Sequence, residues 1–310
     1  MAKKKNDYWS ERIKMARAQE DFLKKNYTLT DKALAKLYSR TREQLVKRIL
    51  DVLQKIQSSQ SKSLSDYYNY QTYYKCLLDI EKECAKLGIK SNQIIMKKLT
   101  EFYQKSFALA EAQLREMHEA YPDKVNVDRS MNALRNAQYI SPDFKQAERV
   151  VNTIWVGDGK RWSERIWGDE KVLATQLQQI LTDGTVGGAT MKSMEERLVN
   201  EFHVDFHKAE RIVRTEMSHL LNTARLDSYK RAGITRFMWI TARNERVCPA
   251  CDNKDTTIYD LDPDGLNMPP IASHPNCACT TIPVFPWEDE AQLKIRYRPN
   301  PKKKKEEDKN

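Results

Sequence analysis

The 310-residue chain carries 53 Lys+Arg against 43 Asp+Glu, a net charge of +10 and a pI near 9.1. That length accommodates one large or two modest domains, and the basic excess reads equally as a surface for an anionic partner or as plain solvation, part of it being terminal, at Lys3 to Lys5 and Lys302 to Lys305. No run reaches the roughly 18 to 20 apolar residues of a membrane span, and the start, MAKKKNDYWSERIK, lacks the apolar core of a secretory leader, so the six Cys are expected in a reducing compartment.

Few Gly and Pro among abundant Lys, Glu, Gln, Leu and Ala predict a mainly α fold. From Thr30, read as an N-cap, Leu34, Tyr38, Leu45, Ile49, Val52 and Ile56 recur at helical spacing. A polar connection (57–66) leads to a second predicted helix, Leu64 to Leu87, closed by Gly88 at C′. Its five tyrosines, in YYNYQTYY, have spacing that favours packing between helices over base stacking. Ser91 is read as the cap of a third helix, which runs toward Met117 and stops at Tyr121-Pro122. Residues 1–125 thus read as an N-terminal helical region, a bundle or extended helical hairpins, without a catalytic constellation.

Residues 126–233 form a second helical block, interrupted at Ser141-Pro142. In TIWVGDGKRWSERIWGDE (153–170), Trp155, Trp162 and Trp167 are core or interface anchors and Gly157-Asp158-Gly159 is a tight turn. A helix to Leu181 follows, then the turn TDGTVGGAT (182–190), which lacks the Lys-Ser/Thr of a phosphate loop. Separate helices are predicted over Met191 to Phe202 and from Asp205 to Gly233. His203, His207 and His219 are read as non-ligating. Arg214 and Glu216, two apart, face different ways, so Arg214-Thr215-Glu216 is architectural, with each charged end expected to contact the module that follows.

That module, residues 234–286, opens with a strand, ITRFMWITA (234–242), whose Trp239 and neighbours are apolar on both faces. A second strand, TTIPVFP (280–286), is expected to pair with it. Between them lie Cys248-Pro-Ala-Cys251 and, after a Pro-rich loop containing Pro263, Pro269 and Pro270, His274-Pro-Asn-Cys277-Ala-Cys279. Two short Cys/His pairs are the pattern of a structural zinc site, but five candidates compete for four tetrahedral positions. The candidate sets are Cys248 and Cys251 with any two of His274, Cys277 and Cys279. A metal would tie together the ends of a loop with little independent means of folding. Reduced packing cysteines and a disulfide between the pairs are the alternatives. A catalytic metal is disfavoured by the single His, and a Cys248 or Cys251 nucleophile by the lack of a helix N-terminus to activate it. Cys76 and Cys84 read as small apolar residues. Residues 287–310 form a charged tail expected to be disordered.

Taken together, RWSERIWGD, AERIVRTEMSHLLNTARLDSYKRAGI, MWITARNERVCPACDNKD and PPIASHPNCACTTIPVF resemble the phage head morphogenesis family, the Mu F-like minor capsid proteins of tailed bacteriophages. Two positions depart from the family pattern. Asn244-Glu245 stands where Asp usually precedes the first Cys pair, and Ala278 where Arg commonly separates the last two cysteines. The resemblance implies a non-enzymatic minor virion component, made in the bacterial cytoplasm and taken into the procapsid. It also implies association with the portal protein and other capsid proteins, and DNA contact in some members. Some members add a C-terminal toxin domain, for which the tail here is too short.

Overall fold

Uninterrupted amphipathic helices dominate a computed structural model, which describes residues 8–59, 64, 66–122, 142–186, 189–241, 247–261 and 274–297. In chain order the elements are α1 (Tyr8–Ser58), α2 (Tyr67–Ala120), α3 (Phe144–Val151), α4 (Trp162–Val186), α5 (Met191–Arg231), β1 (Arg236–Ile240), α6 (Pro249–Asp252), β2 (Ile258–Asp260), β3 (Thr280–Val284) and α7 (Glu290–Arg296). The mainly α expectation with a small C-terminal α+β module matches this architecture. The stretch from Val127, Gly187-Gly188, Asn244-Glu245 and the Pro-rich loop lie outside the described residues.

Several predicted helix ends are interior positions. Thr30 is buried within α1, and Ser91 is fully buried within α2, so neither caps a helix. The cap of α2 is Asp66, whose Oδ1 accepts the N–H groups of Tyr68 and Asn69 at 3.0 Å. Gly88 is helical as well. A Cβ there would lie 2.9 Å from the Trp167 ring, so the glycine serves a close approach and not a C-cap. Residues 182–186 continue α4 where a turn was expected, and the two helices predicted around Val204 are one, α5. The end of α5 was legible: Gly233 has φ +70°, Ile234 N–H bonds Tyr229 O at 3.0 Å, and Gly233 N–H bonds Lys230 O at 3.1 Å. This pair of bonds is a Schellman closure.

By contact the chain forms two units, each gathering stretches far apart in sequence. One comprises residues 28–98 and 154–213. Its core holds the predicted α1 stripe (Leu34, Leu45, Ile49, Val52, Leu53, Ile56) with Cys76, Ile80, Cys84 and Leu87 of α2, as well as apolar residues of α4 and α5. Cys76 and Cys84 are packing residues, as their setting in helical sequence implied, and burial pushes both thiols up, Cys76 to about 11. Two carboxyls are also buried here, Glu170 and Asp205. Glu170 accepts from Tyr38 Oη at 2.9 Å, while both oxygens of Asp205 lack a hydrogen-bond partner.

The other unit comprises residues 1–27, 99–153 and 214–310. Its sheet has the order β2-β1-β3 with both pairs antiparallel, Met238 opposite Ile258 and Ile282. Both faces of β1 are covered, as its apolar run predicts. Phe237 packs with Leu226 and Tyr229 of α5, with Ala232 just beyond its end and with Tyr8 of α1. Met238 and Ile240 pack with Ile282, Val284, Leu293 and Tyr297. Pro283 is tolerated because β3 is an edge strand. The tail therefore needs correction over its first part. Residues 290–296 are helical because Leu293 and Tyr297 close one face of the sheet. Glu288 is also buried, accepting from Tyr8 Oη and Phe285 N–H at 2.7 Å each and pairing with Arg12 at 3.2 Å.

Candidate metal centre

The strand β1 delivers the chain to the cysteines. Beyond Ile240, Thr241 N–H and Oγ1 both donate to Asp255 Oδ1, at 3.0 and 3.1 Å, so the segment from 241 to 255 is closed at its base by a buried carboxylate. Within it, Cys248 caps the single turn α6: Cys251 N–H bonds Cys248 O at 3.1 Å and lies 3.4 Å from Cys248 Sγ. Pro249 fits the first helical position because its missing N–H would have no partner there. The second turn is built alike. Cys277 N–H bonds His274 O at 3.2 Å, and Asn276, with φ +59°, supplies the left-handed bend.

The five candidates converge. Cys251 Sγ lies 3.1 Å from His274 Nε2 and 3.8 Å from Cys277 Sγ. Cys248, Cys251 and His274 have ligand atoms within 4.8 Å of one another, as do Cys251, Cys277 and Cys279, so Cys251 belongs to both groups. Cys251, Cys277 and Cys279 are buried; Cys248 and His274 are half-exposed. All six cysteines are free thiols, so no disulfide joins the pairs. The Cys279 thiol is pushed far above its ordinary value, first by hydrogen bonding with Cys251 and Cys277 and then by burial. Such crowding of sulfurs resists multiple thiolates unless a cation neutralises them. The chemistry of the donors fits a tetrahedral ion: with metal–sulfur bonds of about 2.3 Å, the sulfur–sulfur edge is roughly 3.8 Å. The cluster can therefore hold a metal ion.

Helix α5 supports this cluster through Thr215, Asn222 and Arg225. Thr215 Oγ1 accepts Asn276 N–H at 3.0 Å, holding the second turn. Asn222 Nδ2 donates to Cys279 O at 3.0 Å and Arg225 donates to Thr280 Oγ1. Within the Arg214-Thr215-Glu216 run, the central Thr reaches the Cys/His turn. Arg214 stands over the Tyr27 ring at 5.0 Å and Glu216 is buried. Trp239 is buried in the sheet with Lys254 Nζ 5.2 Å above its ring. Asn222 and Arg225 were not singled out in the sequence. Their one legible signal is that polar side chains sit within the apolar stripe of a helix. His207 bonds Glu210 at 2.8 Å and stacks near His203, and none of His203, His207 and His219 joins a metal-binding group among the described residues.

Residues 175–282 match the family model described as Phage Mu protein F like protein. The match covers about a third of the chain, from within α4 into β3, and takes in all five Cys/His candidates. No curated protein and no solved structure matches the chain. The matched segment bears out the resemblance to the phage head morphogenesis family. Among the described residues, no helix is long and apolar enough to cross a membrane.

Proposed function

We propose that this protein is a structural, non-catalytic minor component of a tailed-phage head, acting in procapsid assembly through contact with the portal and other capsid proteins. Its site of action would then be the host cytoplasm during assembly and the virion interior afterwards. The observation that carries this reading is the family match over residues 175–282, which spans the helix, sheet and Cys/His turns as one continuous segment. Within it, a zinc ion would neutralise and fasten the two turns, while Thr215 holds the second turn to α5 and Asn222 holds the Cys279 carbonyl just beyond it. Zinc is favoured over harder cations because the donors are thiols and imidazole. The chain-order segments, helical to 125, helical to 233, a Cys/His module to 286 and a tail, are proposed as units of sequence organisation.

Co-expression with portal and major capsid proteins tests the assembly role. The chain should co-sediment with portal oligomers and with heads. Procapsids that contain portal but exclude this chain would remove the proposal.

Phage DNA contact is a second reading, favoured by the net charge of +10. It requires an affinity that falls steeply with salt. No binding to duplex or single-stranded DNA at low salt would eliminate it.

A further inference from the structure

The five candidate ligands do not have equal standing. Resting on the zinc-staple reading, we infer that the ion is held by Cys248, Cys251, His274 and Cys277, and that Cys279 is not a ligand. Three observations separate these residues.

First, the two turns share one design. Cys248-Pro-Ala-Cys251 and His274-Pro-Asn-Cys277 each place Pro second and close through a backbone bond from the fourth residue to the first, at 3.1 and 3.2 Å. Each turn therefore presents its first and fourth side chains, and two such turns supply four ligands. Cys279 lies two residues beyond the second turn, at the entry to β3, with its carbonyl held by Asn222.

Second, the His274 ring is prepared as a ligand. Its Nδ1 lies 2.8 Å from Pro275 O. A carbonyl oxygen only accepts, so Nδ1 carries the proton and Nε2 keeps its lone pair. That Nε2 is the atom facing Cys251 Sγ at 3.1 Å. An imidazole whose other nitrogen donates to a backbone carbonyl is fixed in the tautomer and orientation that metal binding needs.

Third, the contact between the turns runs through Cys251. It lies near His274 and 3.8 Å from Cys277 Sγ, the sulfur–sulfur edge of a tetrahedral zinc site. The rival set of four cysteines, which contains the mutually close Cys251, Cys277 and Cys279, leaves this oriented imidazole beside the ion and not bound to it.

The test uses the full chain, its zinc content and the absorption spectrum of its cobalt(II)-substituted form. Wild type should bind one zinc, with a cobalt spectrum of three thiolates and one nitrogen. Cys279→Ala should keep both properties. His274→Ala and Cys277→Ala should weaken zinc binding at least about 100-fold against a competing chelator, since loss of even an outer-shell partner costs 10- to 100-fold. A four-thiolate cobalt spectrum in wild type would overturn the assignment without use of any variant. So would loss of zinc from Cys279→Ala with His274→Ala unaffected. Wild type that takes up no zinc would remove the staple itself, an outcome distinct from a wrong choice of ligands.

Discussion

Replacing Arg12 with Ala should destabilise the unit containing the sheet by about 3 to 4 kcal/mol. Arg12 and Glu288 are buried at 2% and 0% side-chain exposure and 3.2 Å apart. Arg12 also donates to Pro283 O and lies over the Phe285 ring at 5.2 Å. Removing one member of a buried ion pair costs about 3 to 5 kcal/mol, because the remaining charge is left uncompensated. Glu288 would keep its bonds from Tyr8 Oη and Phe285 N–H, which moves the cost toward the lower end. The Pro283 carbonyl would lose its donor, adding about 1 kcal/mol. The total is a large share of a domain's usual 5 to 15 kcal/mol. Urea unfolding followed by circular dichroism measures it. The double variant Arg12→Met, Glu288→Gln should recover most of the loss, since no buried charge remains. A cost below about 1 kcal/mol for Arg12→Ala, or strict additivity in the double variant, would refute the reasoning.

Four further outcomes are expected. Gly88→Ala should lower stability by about 1 kcal/mol: the helix gains about 1 kcal/mol in propensity, but crowding the Trp167 ring at 2.9 Å costs about 1 to 3 kcal/mol. Gly184→Ala, whose nearest neighbours are the flexible tips of Met194 and Leu53, should cost less in the same thermal melts. Burial raises Glu170 to about 9 and Asp205 to about 7, so folding favours their protonated forms. The stability these two groups contribute is therefore fully present below the ordinary carboxyl range and is lost progressively as pH rises from about 4 to about 9. Asp205→Asn should flatten that loss in melting temperatures taken across the range. Finally, a strong chelator should lower the melting temperature of wild type and leave a Cys251→Ser, Cys277→Ser variant unchanged.

The sequence made the Cys/His centre legible because ligand chemistry is written in spacing, and two short turns suffice to bring the donors near each other. The strands β1 and β3 were legible for a similar reason, since an apolar run between turn residues reads as a buried strand. Helix ends are not legible where a capping residue type serves another purpose. Gly88 makes room for Trp167, and Ser91 and Thr30 are buried in helix interiors. The β2 strand, Ile258–Asp260, is too short to show alternation, and α7 shows only Leu293 and Tyr297 amid charges. Thr215, Asn222 and Arg12 act on backbone or charge partners 57 to 276 residues away, which no local pattern encodes.

Elemental analysis of protein purified without chelators tests the metal-stapled head module most directly. About one zinc per chain is expected. A ratio near zero in folded, reduced protein would contradict it.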